Sequence, residues 1–389
     1  MPLRGSPVST EPVSVAGGSV FLTRDGAVAG SGGPDAGVAA HYGNPIAEQR
    51  TLAAGKAIVD LSHRGILSVT GADRLGWLDS VTSQALAKLA PGESAEALLL
   101  DPTGRIEHVL RVVDDGTTAW LLVEAGEAAG LLAWLESMRF MMRVEVADRA
   151  GEFAVVGWFA DAADAMGDAT GGGLALPVAA PNGIPLTWVD PWGSVTAGGH
   201  QYADDGTHPY GDWSWRESLV ERAALAGLSG LPAAGTMALE ALRIAAWRPR
   251  FATEVDERSI PHELDWLRSA VHLAKGCYRG QETVAKVHNL GHPPRRLVML
   301  HLDGSDAVLP PAGAEVALDG RVVGRITSSA IHHEFGPIAL AVVKRNTDPQ
   351  ATLTVEAEGV TVAAAQEVIV PVDAGATANV PRMPRLGAR

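Results

Sequence analysis

The chain has 389 residues, of which 47% are hydrophobic and 20% charged, and its formal net charge is −14. These values are typical of a globular protein that is long enough for two or three domains. A strongly acidic surface repels phosphate backbones, so we expect no direct nucleic-acid binding.

Neither a membrane span nor a secretory signal is expected from the sequence. Apolar runs stay shorter than the roughly 18 residues that a spanning helix needs. The first residues lack a basic region followed by an apolar core, which is the pattern of a signal peptide. These features favour a cytoplasmic location.

The single cysteine, Cys277, excludes an internal disulfide and a cysteine-rich zinc site. A lone cysteine is either a small buried apolar residue or a reactive group. The pair His332 and His333 has no third ligand nearby in the sequence, so we expect no metal site.

Residues 1–40 are rich in Gly, Ser, Pro and Ala and are expected to form a partly extended N-terminal arm. Residues 41–150 are predicted to form a first α+β unit, which begins with a helix to about residue 57. Apolar runs separated by Asp, Pro and Gly turns predict an antiparallel sheet. Its strands are predicted at residues 66–70, 95–100, 105–113, 118–123 and 143–146, and further helices after residue 71 and around residues 131–135.

A second α+β unit is predicted over residues 151–290, beginning with a strand near residues 153–156. Small polar residues predict exposed loops at residues 161–173 and 203–208. Amphipathic helices are predicted at residues 216–228, 237–246 and 280–290, and an irregular stretch at residues 251–263.

Residues 291–371 contain short apolar runs separated by Gly and Asp turns, which predicts a small β-barrel. The strands are predicted at residues 297–302, 314–318, 321–328, 337–343, 353–355 and 360–368. Residues 372–389, rich in Pro, Ala and Arg, are expected to be a disordered tail. The predicted fold class is therefore α+β, with two α+β units followed by a β-barrel.

The chemistry is concentrated in the octapeptide KGCYRGQE, which runs from Lys275 to Glu282 just before the last predicted helix. A thiol at the amino end of a helix meets the positive end of the helix dipole and free backbone N–H groups, which stabilise a thiolate. Lys275 and Arg279 would act in the same direction. Gly276 and Gly280 permit tight turns and the close approach of a ligand.

The surroundings of the octapeptide are basic within an acidic chain. Five Lys or Arg and one acid occur between residues 275 and 296, with His272, His288 and His292 in or beside that stretch. Local positive charge suits a ligand that carries carboxylates. The alternative, from the residues alone, is an inert buried cysteine among solvated charges.

The octapeptide resembles the signature of the YgfZ family, which are folate-binding relatives of the glycine-cleavage T-protein. The resemblance extends from about His41 to Val368. The other similar stretches are IVDLSHRG at residues 58–65, VTGADR at residues 69–74, ALEALRI at residues 238–244 and GRITS at residues 324–328.

This resemblance implies a T-protein-like ring of three domains around a central cavity that binds tetrahydrofolate. It also implies a role in assembling or maintaining iron–sulfur enzymes, including some that modify tRNA, so the implied partners are iron–sulfur enzymes or assembly proteins. The functional cysteine of the family corresponds to Cys277. The other folate-site assignments in the octapeptide are Lys275, Gly276, Tyr278, Gly280, Gln281 and Glu282.

Three further residues are candidates for the folate site. Residues 250–254 resemble the T-protein stretch whose final carboxylate holds the pterin ring, which makes Glu254 the candidate for pterin recognition. The alternative for Glu254 is an exposed surface acid. Arg243 would bind the folate glutamate or form an ordinary salt bridge. Trp266 is the aromatic candidate for ligand contact.

The sequence departs from the T-protein at the aspartate strand near the folate nitrogen, where Glu107 and His108 stand. A glutamate reaches one methylene further than an aspartate, and such displacements are costly in catalysis. The T-protein also has an aspartate at the position of Cys277, so we do not expect glycine-cleavage activity.

Two rival functions remain open at this point. One is a folate-dependent aminomethyltransferase that uses Glu107, and the other is a binding module that senses folate without chemistry. The sequence also does not decide whether Cys277 accepts a one-carbon unit, exchanges with another thiol or hands over a cluster ligand.

Overall fold

The computed structural model describes residues 18–160, 174–203 and 208–378. The predicted loop at residues 161–173 and most of the one at 203–208 lie outside the described residues. The predicted fold class is confirmed, because two five-stranded sheets are followed by a closed six-stranded barrel.

The described part of the N-terminal arm is anchored to the body of the protein. It contains the antiparallel pair β1 (Val28–Ala29) and β2 (Ala39–His41) and leads into helix α1 (Pro45–Ala53). Phe21 and Val38 are buried, and Phe21 packs among apolar residues of the second sheet. Strand β3 (Ile58–Asp60) follows α1.

The first sheet is antiparallel, as predicted, with strand order β5-β6-β7-β4-β8. Leu67 and Val69 alternate on one face and pack with Leu131 and Leu135 of a helix, which explains why this sheet and helix form together. The elements are β4 (Gly65–Thr70), α2 (Arg74–Val81), β5 (Ser94–Leu100), β6 (Ile106–Asp114), β7 (Thr118–Val123), α3 (Ala128–Met138) and β8 (Glu145–Asp148).

The second sheet takes one strand from the first predicted unit. Its strands in chain order are β3, β9 (Phe153–Phe159), β10 (Thr187–Val189), β11 (Trp215–Glu221) and β12 (Ala233–Ala234), and their spatial order is β10-β11-β9-β3-β12. The short β12–β3 contact is parallel and the other pairs are antiparallel.

The helix predicted at residues 216–228 is wrong. Residues up to 221 belong to β11, which pairs with β9 from Trp215 opposite Phe159 to Glu221 opposite Phe153, and residues 222–230 form a 3-10 helix. Leu219 and the adjacent Val220 enter different core clusters, so both faces of the segment are buried. An apolar run with both faces buried imitates helical spacing in the sequence.

The remaining helices agree with the predictions at residues 237–246 and 280–290. These two helices are α4 (Thr236–Ala245) and α6 (Gln281–Leu290). Between them, the single helical turn α5 (Phe251–Glu254) lies in the stretch that was predicted to be irregular. The barrel strands are β13 (Arg295–Leu302), β14 (Glu315–Leu318), β15 (Arg321–His332), β16 (Gly336–Lys344), β17 (Leu353–Ala357) and β18 (Val360–Val368), closed in the order β13-β16-β15-β14-β17-β18.

Residues 372–378, predicted as part of a disordered tail, are ordered against α6. The N–H groups of Ala376, Thr377 and Ala378 donate to the oxygens of Val287, His288 and Asn289. These carbonyls of the last helical turn have no partner within the helix, so the segment acts as its cap.

One core cluster contains residues of both sheets and the barrel, including Leu122, Leu219 and Leu340. The three units therefore pack together around shared apolar contacts. None of the helices in the described ranges has the length and apolarity needed to cross a bilayer.

Candidate functional site

Three charged residues lie in the middle of apolar strands. Glu96 interrupts β5, Arg111 interrupts β6 and Glu217 interrupts β11, and all three are buried. Burying a charge is costly unless an opposite charge and hydrogen bonds compensate it. A single charged residue within such a strand is therefore a sequence signal of a buried polar site.

Two of these residues, Arg111 and Glu217, line a small cleft whose free volume is about 30 Å³. Strands β6 and β11, helix α4 and the residues after α4 supply its walls. The basic residues of the lining are Arg64, Arg111, Arg243, Arg248 and Arg250, and the acidic ones are Asp190, Glu217 and Glu240.

Buried acids pair with the arginines of the cleft. Arg248 Nη2 donates to Glu96 Oε1 at 2.6 Å, and its Nε donates to Asp190 Oδ2 at 3.0 Å. Arg111 Nη2 donates to Glu124 Oε1 at 3.1 Å. The walls are thus a network of opposite charges.

The network sets the charge states of its acids. Burial acts to raise the pKa of Glu124, but Arg250, Arg64 and Arg111 outweigh it and hold this pKa well below its usual value. Burial raises the pKa of Asp190 above its usual value, and neighbouring Glu96 adds to that rise against the opposing charge of Arg248. The network therefore combines a firmly ionised acid, Glu124, with one in the cleft lining, Asp190, that binds a proton more readily.

Some polar atoms of the cleft lack partners within the part of the chain that the structure describes. They are Arg64 Nε, Arg111 Nη1, Arg248 Nη1 and Glu217 Oε2, all buried. An unsatisfied buried polar group costs about 1–3 kcal/mol, so such groups mark positions where a ligand or water completes the hydrogen bonding. The cleft offers N–H donors and a carboxylate acceptor.

Arg243 is the one sequence-predicted site residue among those lining the cleft in the described structure. Its Nη1 donates to Glu254 Oε2 at 2.9 Å, and its Nη2 donates to Ser328 Oγ of the barrel at 2.6 Å. Glu240 also accepts from it. Arg243 therefore connects α4 to α5 and β15.

Glu254 does not lie among the cleft residues, and its carboxylate is already bonded within the protein. It accepts from Arg243, from the backbone N–H of Arg250 at 2.8 Å and from the hydroxyls of Thr253 and Ser328. Its side chain is fully buried, so the alternative of an exposed surface acid is wrong. Among the described acids of the cleft, Glu217 offers the free acceptor that was assigned to Glu254.

The indole of Trp266 is 1% exposed and belongs to the central core cluster. It is also absent from the cleft lining. The expectation that this ring contacts a ligand therefore disagrees with its position, which is that of a core anchor.

The octapeptide lies elsewhere, on the turn between β5 and β6. Cys277 is free and exposed in the loop before α6, four residues ahead of Gln281. The alternative of a buried cysteine is therefore wrong. None of the residues from Lys275 to Glu282 is among those that line the cleft.

Lys275 is a structural residue rather than a free cation beside the thiol. Its Nζ donates to the backbone oxygens of Asp79, Thr82 and Gln84, which are at and just beyond the end of α2. Burial lowers the pKa of Lys275, against the opposing effect of Asp79. A cation at this end of a helix is favoured by the helix dipole.

Gly280 and Gly104 allow the loop and the β5–β6 turn to touch. Gly280 has φ +84°, and a Cβ there would lie 2.7 Å from the oxygen of Asp101. A Cβ on Gly104 would lie 2.8 Å from Cβ of Thr283 in α6. Both contacts are closer than a side chain permits, so glycine is required on both sides.

The other residues of the octapeptide divide between core and surface. Tyr278 is buried in the central core, Gln281 is half-buried, and Glu282 is exposed in the first turn of α6. Arg279 lies over the ring of Trp134 at 5.8 Å and pairs with Glu107. Glu107 is thus engaged by the same loop that carries the thiol.

Comparison with known proteins identified two domains in the chain. Residues 34–165 match the GCVT N-terminal domain, and residues 295–371 match the glycine cleavage T-protein C-terminal barrel domain. The second match covers the whole closed barrel, and the first covers the sheet that contains β6.

Two curated relatives are similar over most of the chain. An aminomethyltransferase of Symbiobacterium thermophilum is 28% identical over 321 residues, which is 78% of this chain and 82% of the relative. A chloroplastic protein of Arabidopsis thaliana, whose name gives it a provisional transferase activity, is 27% identical over 70% of this chain and 62% of the relative.

A solved structure has the same fold. It is the glycine cleavage system aminomethyltransferase T of Bartonella henselae, with a TM-score of 0.68 and 19% identity over 90% of this chain and 96% of that chain. At this identity the likeness concerns the fold.

Proposed function

We propose that this chain, a T-protein-like protein by its two matched domains, binds a tetrahydrofolate in the arginine-lined cleft and acts through Cys277 to maintain iron–sulfur enzymes. The observation that carries the folate assignment is the set of buried, unpartnered polar atoms in that cleft. The assignment of the partner enzymes rests on the resemblance of the octapeptide to the YgfZ signature.

The chemistry of the cleft fits a folate. Glu217 Oε2 is a buried acceptor without a partner among the described residues, and a pterin presents N–H donors along its 2-amino edge. Arg248 Nη1 is a donor without a partner among the described residues, and the glutamate portion of a folate carries carboxylates. Apolar walls from Trp213 and Trp215 suit the flat ring system.

The thiol suits a role toward another protein. Cys277 is exposed and free, and the loop that carries it is fixed at both ends by Lys275 and Gly280. An exposed thiol on a rigid support can reach a macromolecular partner, whereas none of the octapeptide lines the cleft. This arrangement favours separate sites for the folate and for the thiol chemistry.

Folate binding is tested by calorimetric titration of the protein with tetrahydrofolate. Glu217→Gln should weaken binding at least tenfold, while Glu315→Gln, on the exposed barrel surface, should leave it unchanged. Glu254→Ala is a further comparison, because the sequence assigned the pterin to that residue. A wild-type protein that takes up no tetrahydrofolate would overturn the assignment.

The role of Cys277 is tested in cells that lack the protein. Complementation with wild type should restore the activity of iron–sulfur enzymes, and Cys277→Ser should not, although its folate titration stays normal. Unchanged enzyme activity with Cys277→Ser would instead support a protein that only senses folate.

A second candidate is aminomethyl transfer, which the name of the Symbiobacterium thermophilum relative favours. The pairing of Glu107 with Arg279 argues against it, since the one local carboxylate near the expected folate nitrogen is engaged. Transfer of a lipoyl-bound aminomethyl group to tetrahydrofolate, lost in Glu107→Ala, would establish this second function instead.

A further inference from the structure

Asp35, in the N-terminal arm, reaches an arginine of the cleft. Its two oxygens accept from Arg250 Nη2 at 2.7 Å and Nη1 at 2.8 Å, and Nε2 of His63 lies 3.0 Å from Oδ1. Paired N–H donors on one carboxylate are the geometry by which arginine recognises carboxylate ligands. Asp35 thus occupies Arg250 as a ligand carboxylate would.

Arg250 has no donor to spare while Asp35 is bound. Its Nε and Nη2 donate to Glu124 at 3.0 and 2.7 Å, and its Nη1 donates to Glu240 at 3.0 Å. Together with the two bonds to Asp35, these use all five N–H groups of the guanidinium. A further carboxylate can bind Arg250 only if one of the three acids leaves.

Of these three acids, Asp35 has the structure that permits departure. Glu124 is buried and also meets Arg64 and Arg111, while Glu240 is held on helix α4. Asp35 instead belongs to the connection between β1 and β2, residues 30–37, which we call the Asp35 loop. Most of this loop is exposed, and Asp35 ends its single 3-10 turn, Gly33–Asp35, with a side chain that is 15% exposed.

The Asp35 loop has the backbone of a hinged segment. Gly32, Gly33 and Gly37 have φ of +125°, +74° and +90°, and a Cβ on any of them would meet no atom within 4 Å. These glycines serve conformational freedom rather than close packing. Directly after the loop, the buried residues Val38 and Ala39 anchor the chain, so any movement would be confined to residues 30–37.

We infer that the Asp35 loop is a latch on the cleft, and that a ligand carboxylate opens it by replacing Asp35 on Arg250. The inference rests on the proposed function, in which the ligand is a folate with a glutamate carboxylate. The exchange replaces one bidentate carboxylate by another and returns Asp35 to water. A pterin without a carboxylate cannot make this exchange, so the latch selects for the carboxylate-bearing form.

The experiment compares Asp35→Asn and Asp35→Ala with Asp25→Asn, a change of an exposed acid on the same arm. Titration with tetrahydrofolate should give about tenfold tighter binding for both Asp35 variants, because their residue 35 no longer competes with the ligand carboxylate for Arg250. Asp25→Asn should bind tetrahydrofolate with wild-type affinity. Titration with 6-methyltetrahydropterin should give the same affinity in all proteins. Amide exchange without ligand should be faster in residues 30–37 of the Asp35 variants.

The outcomes separate the two proposals. Equal tetrahydrofolate affinity for wild type and both Asp35 variants would overturn the latch and leave the folate site standing. If the Asp35 variants also bound 6-methyltetrahydropterin about tenfold more tightly than wild type, the carboxylate exchange would be overturned. Such a result would indicate that the substitutions loosen the cleft for any ligand. If no protein takes up tetrahydrofolate, the proposed function falls and the latch falls with it.

Discussion

Arg279 and Glu107 form an ion pair that ties the cysteine loop to strand β6, with Nη1 2.5 Å from Oε2 and Nη2 3.4 Å from Oε1. The two residues are 172 positions apart in the sequence. Because of this contact, a shift of strand β6 would also move the loop that carries Cys277.

Breaking this pair should release the loop. Arg279→Ala is expected to raise the rate of amide hydrogen exchange in residues 276–280 several-fold, because the loop opens more often. A half-exposed pair contributes about 1 kcal/mol at most, so global stability should change little. Hydrogen exchange followed by mass spectrometry measures the rate. Arg325→Ala, which removes an exposed barrel pair, is the control, and equal exchange in the two variants would contradict the link.

Alanine substitutions at the two glycines of the octapeptide should have very different effects on the free energy of unfolding. Gly280→Ala puts a Cβ in a left-handed backbone and against Asp101, and we expect it to lower the free energy of unfolding by about 1–3 kcal/mol. At Gly276 a Cβ meets no atom within 4 Å, so Gly276→Ala should change it by about 0.5 kcal/mol or less. Urea unfolding compares them, and similar losses would refute the close-contact argument.

Arg248 should be essential to the stability of the cleft. Its removal leaves Glu96 and Asp190 buried without their cation, and loss of one partner from a buried pair typically costs about 3–5 kcal/mol. Arg248→Ala should therefore unfold at much lower urea concentration than wild type. Arg143→Ala, which breaks an exposed pair with Asp73, should behave almost as wild type. A small effect of Arg248→Ala would mean that water compensates the acids.

Asp265 predicts a pH dependence of stability. Burial raises the pKa of Asp265 from its usual value to about 7, despite the N–H of Tyr202 and the charge of Arg268. Between about pH 4 and pH 7 the folded state then binds more protons than the unfolded state, so this group lowers stability as pH rises. Each unit of pKa difference corresponds to about 1.4 kcal/mol.

Asp265→Asn removes this titration. Relative to wild type, the variant should gain stability steadily from pH 4 to pH 7 and keep a constant difference above that. Urea unfolding at several pH values follows the difference, and Asp306→Asn, at an exposed position, should track wild type. If the free energies of unfolding of wild type and Asp265→Asn differed by the same amount at every pH from 4 to 7, the pKa of Asp265 would not be raised in the fold.

Much of the fold could be predicted because the determining signals are local. The turn residues around β6 and β7 and the alternation in the barrel strands depend on nearby residues. Strand β11 escaped prediction because its partner β9 and the burial of both its faces are set by distant parts of the chain. The capping of α6 by residues 376–378 escaped for the same reason.

The candidate site was predictable only in part. The octapeptide could be recognised because its motif is a continuous segment, and Cys277 within it is exposed. Lys275 looked like a free cation, but three backbone oxygens from another segment bind it. The arginine network of the cleft joins residues from Asp35 to Arg250, and no sequence spacing reveals such a long-range assembly.

The cap on α6 has a consequence for synthesis of the protein. Thr377 follows its partner His288 by 89 positions, and the entire barrel lies between them. On a ribosome, the helix beside Cys277 therefore waits for the barrel to emerge before its final turn is closed. A chain that ends before residue 376 would therefore leave three carbonyl groups at the end of α6 without these hydrogen bonds.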